Sequence, residues 1–266
     1  MATSRKILRM SEDLNDWLSV AESAARTAGK RLREGSETMR EITFEDRADV
    51  KLRADTDSET LIRKRLLSAT PDIPIIGEEE GGDESLVRQD KFYWVVDPLD
   101  GTFNYLRSNP LCAVSIGLLR GLEPVLGVIY DFNHDVLYSG GDSLGLKING
   151  ISTHYGWAQN IAQAALSTGL PAGMDTSPAK LAAYLKIISQ YKKVRMVGSA
   201  ATSLAMVASG QMDVHFELGT RLWDIAAGIA LVKGAGGFVR LTPSGTGKFL
   251  AYDVWAAGSE SLLPSA

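Results

Sequence analysis

Residues 94–105 read WVVDPLDGTFNY. The apolar, strand-like run YWVV (93–96) stops abruptly in two carboxylates, a proline, a glycine and a threonine. Proline fixes the turn, so Asp97 and Asp100 can face one cavity, with the carbonyl of Leu99 between them. Gly101 and Thr102 then open a short helix, TFNYL, whose free amide groups form an anion site.

Four more stretches combine acids with turn chemistry at strand or helix ends: DVKLRADTDSE (49–59), IGEEEGG (76–82), FELG (216–219) and LWDIAAG (222–228). Glu78, Asp97 and Asp224 each stand beside an apolar run or a tryptophan of buried type. A buried acid without a partner costs several kcal/mol, so acids converging at strand ends need cations. The chain has a single cysteine, and its three histidines, His134, His154 and His215, are far apart. Oxygen ligands without thiolates therefore favour a hard ion, Mg²⁺ or Mn²⁺, over zinc. Metal beside an anion site suits phosphoryl transfer, of which hydrolysis of a phosphate ester is the simplest case. Taken singly, each motif has a plainer reading: DPLDGT as a turn with a capping aspartate, IGEEEGG as an acidic solvated loop, LWDIAAG as an N-capped helix with alanines for close packing. Their occurrence together, in this order, points to the metal site.

The 266 residues suffice for a substantial core, and 45% hydrophobic with 23% charged residues is too apolar for disorder. A net charge of −4 gives no basic field for nucleic acid or an anionic membrane. The cluster RKRLL (63–67) reads as the solvated face of an amphipathic helix. Cys112, within LCAVSIGLL, reads as a small buried hydrophobe. MATSRKILRM lacks a signal-peptide core, and no run of about 18 apolar residues occurs, so a cytoplasmic location is the default.

Helical spacing over 11–34 places Leu14, Trp17 or Leu18, Ala21, Ala24 or Ala25, Ala28 and Leu32 on one face, with Gly35 as the stop. A second helix is predicted from Ser58 to about Ala69, ended by Thr70-Pro71. The runs at 73–76, 93–96, 112–119, 124–131, 135–140 and 144–150 read as an antiparallel sheet with hairpins. Thereafter strands alternate with helices at 178–190, 199–209 and 222–234, which implies an α/β layer. The expected organisation is one compact unit, an α+β half (about 1–145) and an α/β half (about 146–266), joined near 140–160.

Together IGEE (76–79), WVVDPLDGTFNY (94–105), VSIGLL (114–119), VGSAATSLAMVASGQMDVHFE (197–217) and LWDIAAGIALVKGAGG (222–237) resemble the inositol monophosphatase family of Mg²⁺-dependent, lithium-sensitive phosphatases. This family lies within the wider fructose-1,6-bisphosphatase-like superfamily, and the resemblance runs from Asp49 to Gly258. It implies a layered αβαβα sandwich, a homodimer and two or three metal ions per site. Glu78, Asp97 and the Leu99 carbonyl would hold the first ion, and Asp97, Asp100 and Asp224 the second. Glu78 would also face a weaker third ion, with Glu79 the second acid of its motif. Asp55 with the Thr102 hydroxyl would orient and activate the attacking water, Glu59 being structural. The amides of Gly101 and Thr102 would hold phosphate, with in-line attack and no phosphoenzyme.

Glu217 matches the acid that hydrogen-bonds an inositol hydroxyl, and Gly198, Ser199 and Ala200 match the adjoining wall, so the resemblance implies a small phosphorylated polyol. Histidinol phosphate, fructose 1,6-bisphosphate and adenosine 3′,5′-bisphosphate are alternative substrates. Phe103-Asn104-Tyr105 after the GT, where the nucleotidase branch tends to carry a lysine, ranks the last of these lower. A non-catalytic metal-binding regulator is the reading from another class. The chain departs from the family pattern at Phe44, where animal members have a lysine, and at Leu52 and Ala54, where threonines are usual. Arg40, Arg47 and Lys51 are the candidate compensating cations.

Overall fold

The computed structural model describes residues 2–35, 37–46, 50–170, 175–245 and 250–264; Arg47 and Asp49 lie outside them. In chain order the elements are α1 (Ala2–Arg33), β1 (Ile42–Glu45), β2 (Val50–Leu52), α2 (Arg53–Ala69), β3 (Ile75–Gly77), β4 (Phe92–Asp100) and α3 (Thr102–Leu106). Then follow β5 (Ala113–Arg120), β6 (Glu123–Asp131), β7 (Val136–Gly141), β8 (Gly145–Ile148), β9 (Ile151–Ser152) and β10 (Ala165–Thr168). The last are α4 (Pro178–Ile188), β11 (Lys193–Met196), α5 (Ala200–Ala208), β12 (Val214–Arg221), α6 (Leu222–Gly234), β13 (Phe238–Pro243) and β14 (Ala251–Ala257).

Alternation along the strands sorts side chains between layers. On β4, Trp94 and Val96 join the core under α1 and α2, with Leu18, Ala25, Ile62 and Leu66. Tyr93 and Val95 point the other way, into a core shared with Leu204 of α5 and Ile225, Ala226 and Ile229 of α6. That middle core closes on Val254 and Ala256 of a second sheet, whose outer face packs Val214 and Phe216 against Tyr184 of α4. Five layers result, α/β/α/β/α: a seven-stranded sheet β3-β4-β5-β6-β7-β8-β9 and a five-stranded sheet β11-β10-β12-β14-β13, with helices outside and between. This is the sandwich the resemblance implies. α5 and α6 are buried nearly all round, which suits helices placed between two sheets.

The fit of α6 onto the first sheet depends on glycine. Gly117 and Gly127 are register partners on β5 and β6, and both face α6. A methyl on Gly127 would stand 2.2 Å from the Ala227 carbonyl oxygen, a backbone atom with no side chain to swing aside. Gly127→Ala is therefore expected to cost about 2 kcal/mol or more by overpacking, read as a lower urea midpoint at unchanged slope. An unaltered midpoint would mean that α6 can lift from the sheet.

Several expectations need correction. α1 begins at Ala2, well before residue 11. α2 begins at Arg53, five residues before Ser58, so Asp55 lies in its first turn. β3 pairs in parallel with β4, whereas the remaining pairs of that sheet are antiparallel. The β1–β2 hairpin, which sets Phe44 opposite Lys51, has no counterpart in the sequence reading. Arg63 does not lie on a solvated face: it donates to Glu59 Oε1 at 2.7 Å and to the Gly81 carbonyl at 2.6 Å. Leu52 and Ala54 are fully buried in the outer core and serve packing. Among the described residues, no helix is long and apolar enough to cross a membrane.

Candidate active site

Asp97 reaches the site because β4 is irregular where it ends. Asp97 pairs with Ser115 and Asp100 with Ala113, so the strand carries one extra residue across Pro98-Leu99. That bulge turns both carboxyls to one side, which a regular strand would deny to residues three apart. Asp97 Oδ1 accepts the Leu99 amide at 3.0 Å. Gly101 then takes φ +89° and caps α3 over Thr102–Leu106, the TFNYL helix expected. Asp100 Oδ2 accepts from the Ser199 hydroxyl and, at 2.7 Å, from the Ala201 amide, so the start of α5 grips this carboxyl.

Two further aspartates arrive on helix starts from opposite layers. Asp55 Oδ2 accepts the Leu52 amide at 2.7 Å, and Asp224 Oδ2 accepts the Arg221 amide at 2.8 Å. Each closes its own helix with one oxygen and leaves the other for the site. The remaining oxygen of Asp55 accepts the Thr102 hydroxyl at 2.9 Å, and the same hydroxyl lies 3.0 Å from the Leu99 carbonyl. The plainer reading of LWDIAAG as a capped, closely packed helix thus holds for Asp224 and does not exclude its place in the cluster.

Ligand oxygens of Asp97, Asp100 and Asp224 lie within 4.8 Å of one another, the one such carboxylate group among the described residues. Glu78 lines the same cleft, outside that tight triad. Its loop is clamped rather than freely solvated. Fully buried Glu59 accepts the amides of Glu79 and Glu80 at 2.7 and 3.1 Å, and Arg63 Nε stands 3.3 Å from Glu80. Glu59 is structural, as expected. Lys51 bonds Glu79 at 2.6 Å and lines the cleft, whereas Arg40 lies over the Tyr105 ring. Of the candidate compensating cations inside the described residues, Lys51 is the one at the site.

Burial is the main cause that raises Asp55, Glu78, Asp97, Asp100 and Asp224. Asp55 is pushed up to about 7, and Asp100 to about 6 despite the opposing hydrogen bonds from Ser199 and Ala201. Glu78, Asp97 and Asp224 are raised well above the usual carboxylate range by burial and then by neighbouring acids, with Lys51 opposing at Glu78. Carboxyls so crowded cannot all ionise without a cation between them. The donor set, oxygen throughout, fits a hard divalent ion. Cys112 takes no part: burial pushes its thiol up to about 12.

The cleft measures about 1170 Å³ and also takes in Gly101, Thr102, Gly198, Ser199, Ala200 and Glu217. Every residue assigned to the site from sequence therefore meets there except Asp55, which reaches it through Thr102. Glu217 sits just before a second bulge, where Gly219 has φ +67° and β12 slips register against β14. Its carboxyl fills the space beside Gly169, where a methyl would come 2.4 Å from Oε1. The sequence reading missed Thr168, Gly169, Thr220, Arg221 and Trp223, which also line the cleft. Their signal is topological: Thr168 and Phe216 are partners on parallel strands β10 and β12, so the chain after both opens on one side.

The inositol monophosphatase family model matches residues 13–264. A protein of Aquifex aeolicus called fructose-1,6-bisphosphatase/inositol-1-monophosphatase is 34% identical over 90% of this chain and 92% of its own. A Nus factor SuhB of Xylella fastidiosa is 35% identical over 84% of this chain and 80% of its own. Among solved structures, the inositol monophosphatase of Anabaena superposes with a TM-score of 0.78 at 32% identity, covering 94% of this chain and 93% of that one.

Proposed function

The chain belongs to the inositol monophosphatase family, and from that premise we propose that it is a Mg²⁺-dependent phosphomonoesterase acting on a small phosphorylated polyol, inositol monophosphate first. The observation that carries this reading is the Asp97–Asp100–Asp224 triad, its first two members buried, meeting in one cleft the Thr102 hydroxyl that bonds Asp55. Glu78, Asp97 and the Leu99 carbonyl would hold one ion, and Asp97, Asp100 and Asp224 another. Glu78 would also face a weaker third, with Mn²⁺ able to replace Mg²⁺. When bound, such ions neutralise charge on phosphate oxygens and lower the pKa of water.

The chain's own residues do the rest. The Thr102 hydroxyl donates to Asp55 at 2.9 Å, which turns its lone pairs outward to orient a water for in-line attack. Asp55, joined to that hydroxyl, is the carboxylate placed to accept the water's proton through Thr102. The amides of Gly101 and Thr102, at the start of α3, suit the phosphate oxygens. Glu217, with the wall of Gly198, Ser199 and Ala200, would take the polyol hydroxyls.

A second reading keeps the chemistry and changes the substrate to fructose 1,6-bisphosphate. The name of the Aquifex relative favours it, as does the Arg221 guanidinium, a cation on the cleft wall 4.7 Å over the Trp223 ring. The test is phosphate release with Mg²⁺ from inositol 1-phosphate, histidinol phosphate, fructose 1,6-bisphosphate and adenosine 3′,5′-bisphosphate. Preference for inositol 1-phosphate is the expected result; another preference reassigns the substrate, and silence on all four turns the reading towards a non-catalytic regulator. Lithium at millimolar concentration is expected to inhibit, and rates unaltered by it would mark a divergent second metal position. A homodimer, checked by light scattering, and a cytoplasmic location complete the proposal.

A further inference from the structure

His215 is a histidine that the chemistry above does not use, and it is fully buried. Alternation on β12 sends Val214 and Phe216 into the outer core and leaves His215 and Glu217 together on the opposite face. The Ser167 hydroxyl, on neighbouring β10, lies 3.1 Å from its Nδ1. Nε2 has no hydrogen-bond partner among the described residues. It stands 3.6 Å from Glu217 Oε2, just beyond hydrogen-bond length. Leaving a buried ring nitrogen unpaired is costly, so a place where one persists calls for an explanation.

We propose that His215 is a positioning residue for substrate recognition, its Nε2–H steering the Glu217 carboxylate towards the hydroxyls of the bound polyol. The proposal rests on Glu217 being the polyol contact. A neutral imidazole carries one N–H and one acceptor nitrogen, and burial keeps this ring neutral, its pKa pulled down to about 4. With the proton on Nδ1, the Nε2 lone pair would face the oxygens of Glu217 and repel them once that carboxyl, raised to about 7 by burial, has ionised. With the proton on Nε2, the Ser167 hydroxyl turns from the Val214 carbonyl, 3.3 Å away, to donate to Nδ1, and the N–H points at Glu217. A movement of about 0.6 Å completes that hydrogen bond, of the kind that active sites make on binding substrate. Gly169 limits the carboxylate on its other side, since the Glu217 Oε1 atom occupies the space a side chain would need. The Tyr184 hydroxyl in turn holds the Gly169 carbonyl at 3.1 Å. Glu217 is thus confined between the Gly169 backbone and the His215 ring.

The test compares wild type, His215→Phe, Glu217→Gln and the double variant on inositol 1-phosphate and on p-nitrophenyl phosphate, which has no polyol hydroxyls. Phenylalanine keeps the volume and removes the nitrogens. His215→Phe is expected to lower the preference for inositol 1-phosphate over the aryl ester about tenfold, mostly through KM. In the Glu217→Gln background it is expected to add less than about twofold, because it acts through Glu217. Equal losses on both substrates, or multiplicative effects in the double variant, would show a packing role and overturn the proposal. A measurement independent of turnover is ¹⁵N NMR of the imidazole at neutral pH. An Nε2–H tautomer whose Nε2 resonance moves in Glu217→Gln is expected. An Nδ1–H tautomer, or an unmoved resonance, overturns the proposal. A wild type inactive on every polyol phosphate but showing that NMR response would instead count against the polyol reading.

Discussion

Asp97→Asn is expected to lower kcat/KM by about 10³-fold or more while leaving the fold intact, a loss of about 4 kcal/mol in transition-state stabilisation. Asp97 is 1% exposed, sits in the triad with Asp100 and Asp224, and faces Glu78 closely enough to be raised by its charge. No other carboxyl is assigned to both metal positions. Asparagine keeps the shape and an oxygen for the Leu99 amide, so the turn should survive. It also removes one of the mutually repelling charges, and metal-free Asp97→Asn should melt at or above wild type at pH 8. Activity lost together with stability would mean that the residue mainly holds the turn, and turnover within about tenfold of wild type would remove Asp97 from the chemistry.

The second large effect is on stability. Burial raises Asp55 from the ordinary 3.8 to about 7, and Glu78, Asp97 and Asp224 are raised as well. A carboxyl whose pKa is higher in the folded than in the unfolded state keeps its proton longer when folded. Between about pH 4 and 7 the native state then binds more protons than the unfolded chain, and stability falls as pH rises. Above pH 7 the Asp55 contribution levels off. In EDTA, the melting temperature is expected to drop on the order of 10 °C between pH 5 and 8. Mg²⁺ should reverse most of that drop at pH 8 and do little at pH 5, since ions bind the charged carboxylates alone. Scanning calorimetry with and without metal checks both slopes. A metal-free protein that gains stability up to pH 8 would contradict the crowded-acid picture.

Much of the site was legible because its chemistry is local. Asp97, Pro98, Asp100, Gly101 and Thr102 lie within six consecutive residues, and the turn they make follows from proline geometry and glycine at positive φ. α6 was legible to its ends, since the run from Ile225 to Val232 is bounded by Asp224 on one side and Lys233-Gly234 on the other. The start of α2 was not, because its N-cap is Leu52 and the capping group is Asp55 inside the helix. Helix-start rules look for Ser, Thr, Asp or Asn at the cap itself. β12 runs on to Arg221 because the bulge at Gly219 lets pairing resume at Thr220, which the sequence alone does not show. Long-range contacts were the least legible. Glu59 clamps an amide 20 residues away, Lys51 meets Glu79 28 residues on, and His215 depends on Ser167 of another strand. None of these partners is fixed by sequence spacing.

The central claim is that the buried acids form a metal-dependent phosphatase centre. Its most direct test is phosphate release from inositol 1-phosphate while Mg²⁺ is titrated into the EDTA-treated protein. Release absent without metal, rising to saturation with Mg²⁺ and abolished in Asp97→Asn, is the predicted result. Release that is insensitive to both metal and Asp97, or no release although Mg²⁺ binds, would contradict it.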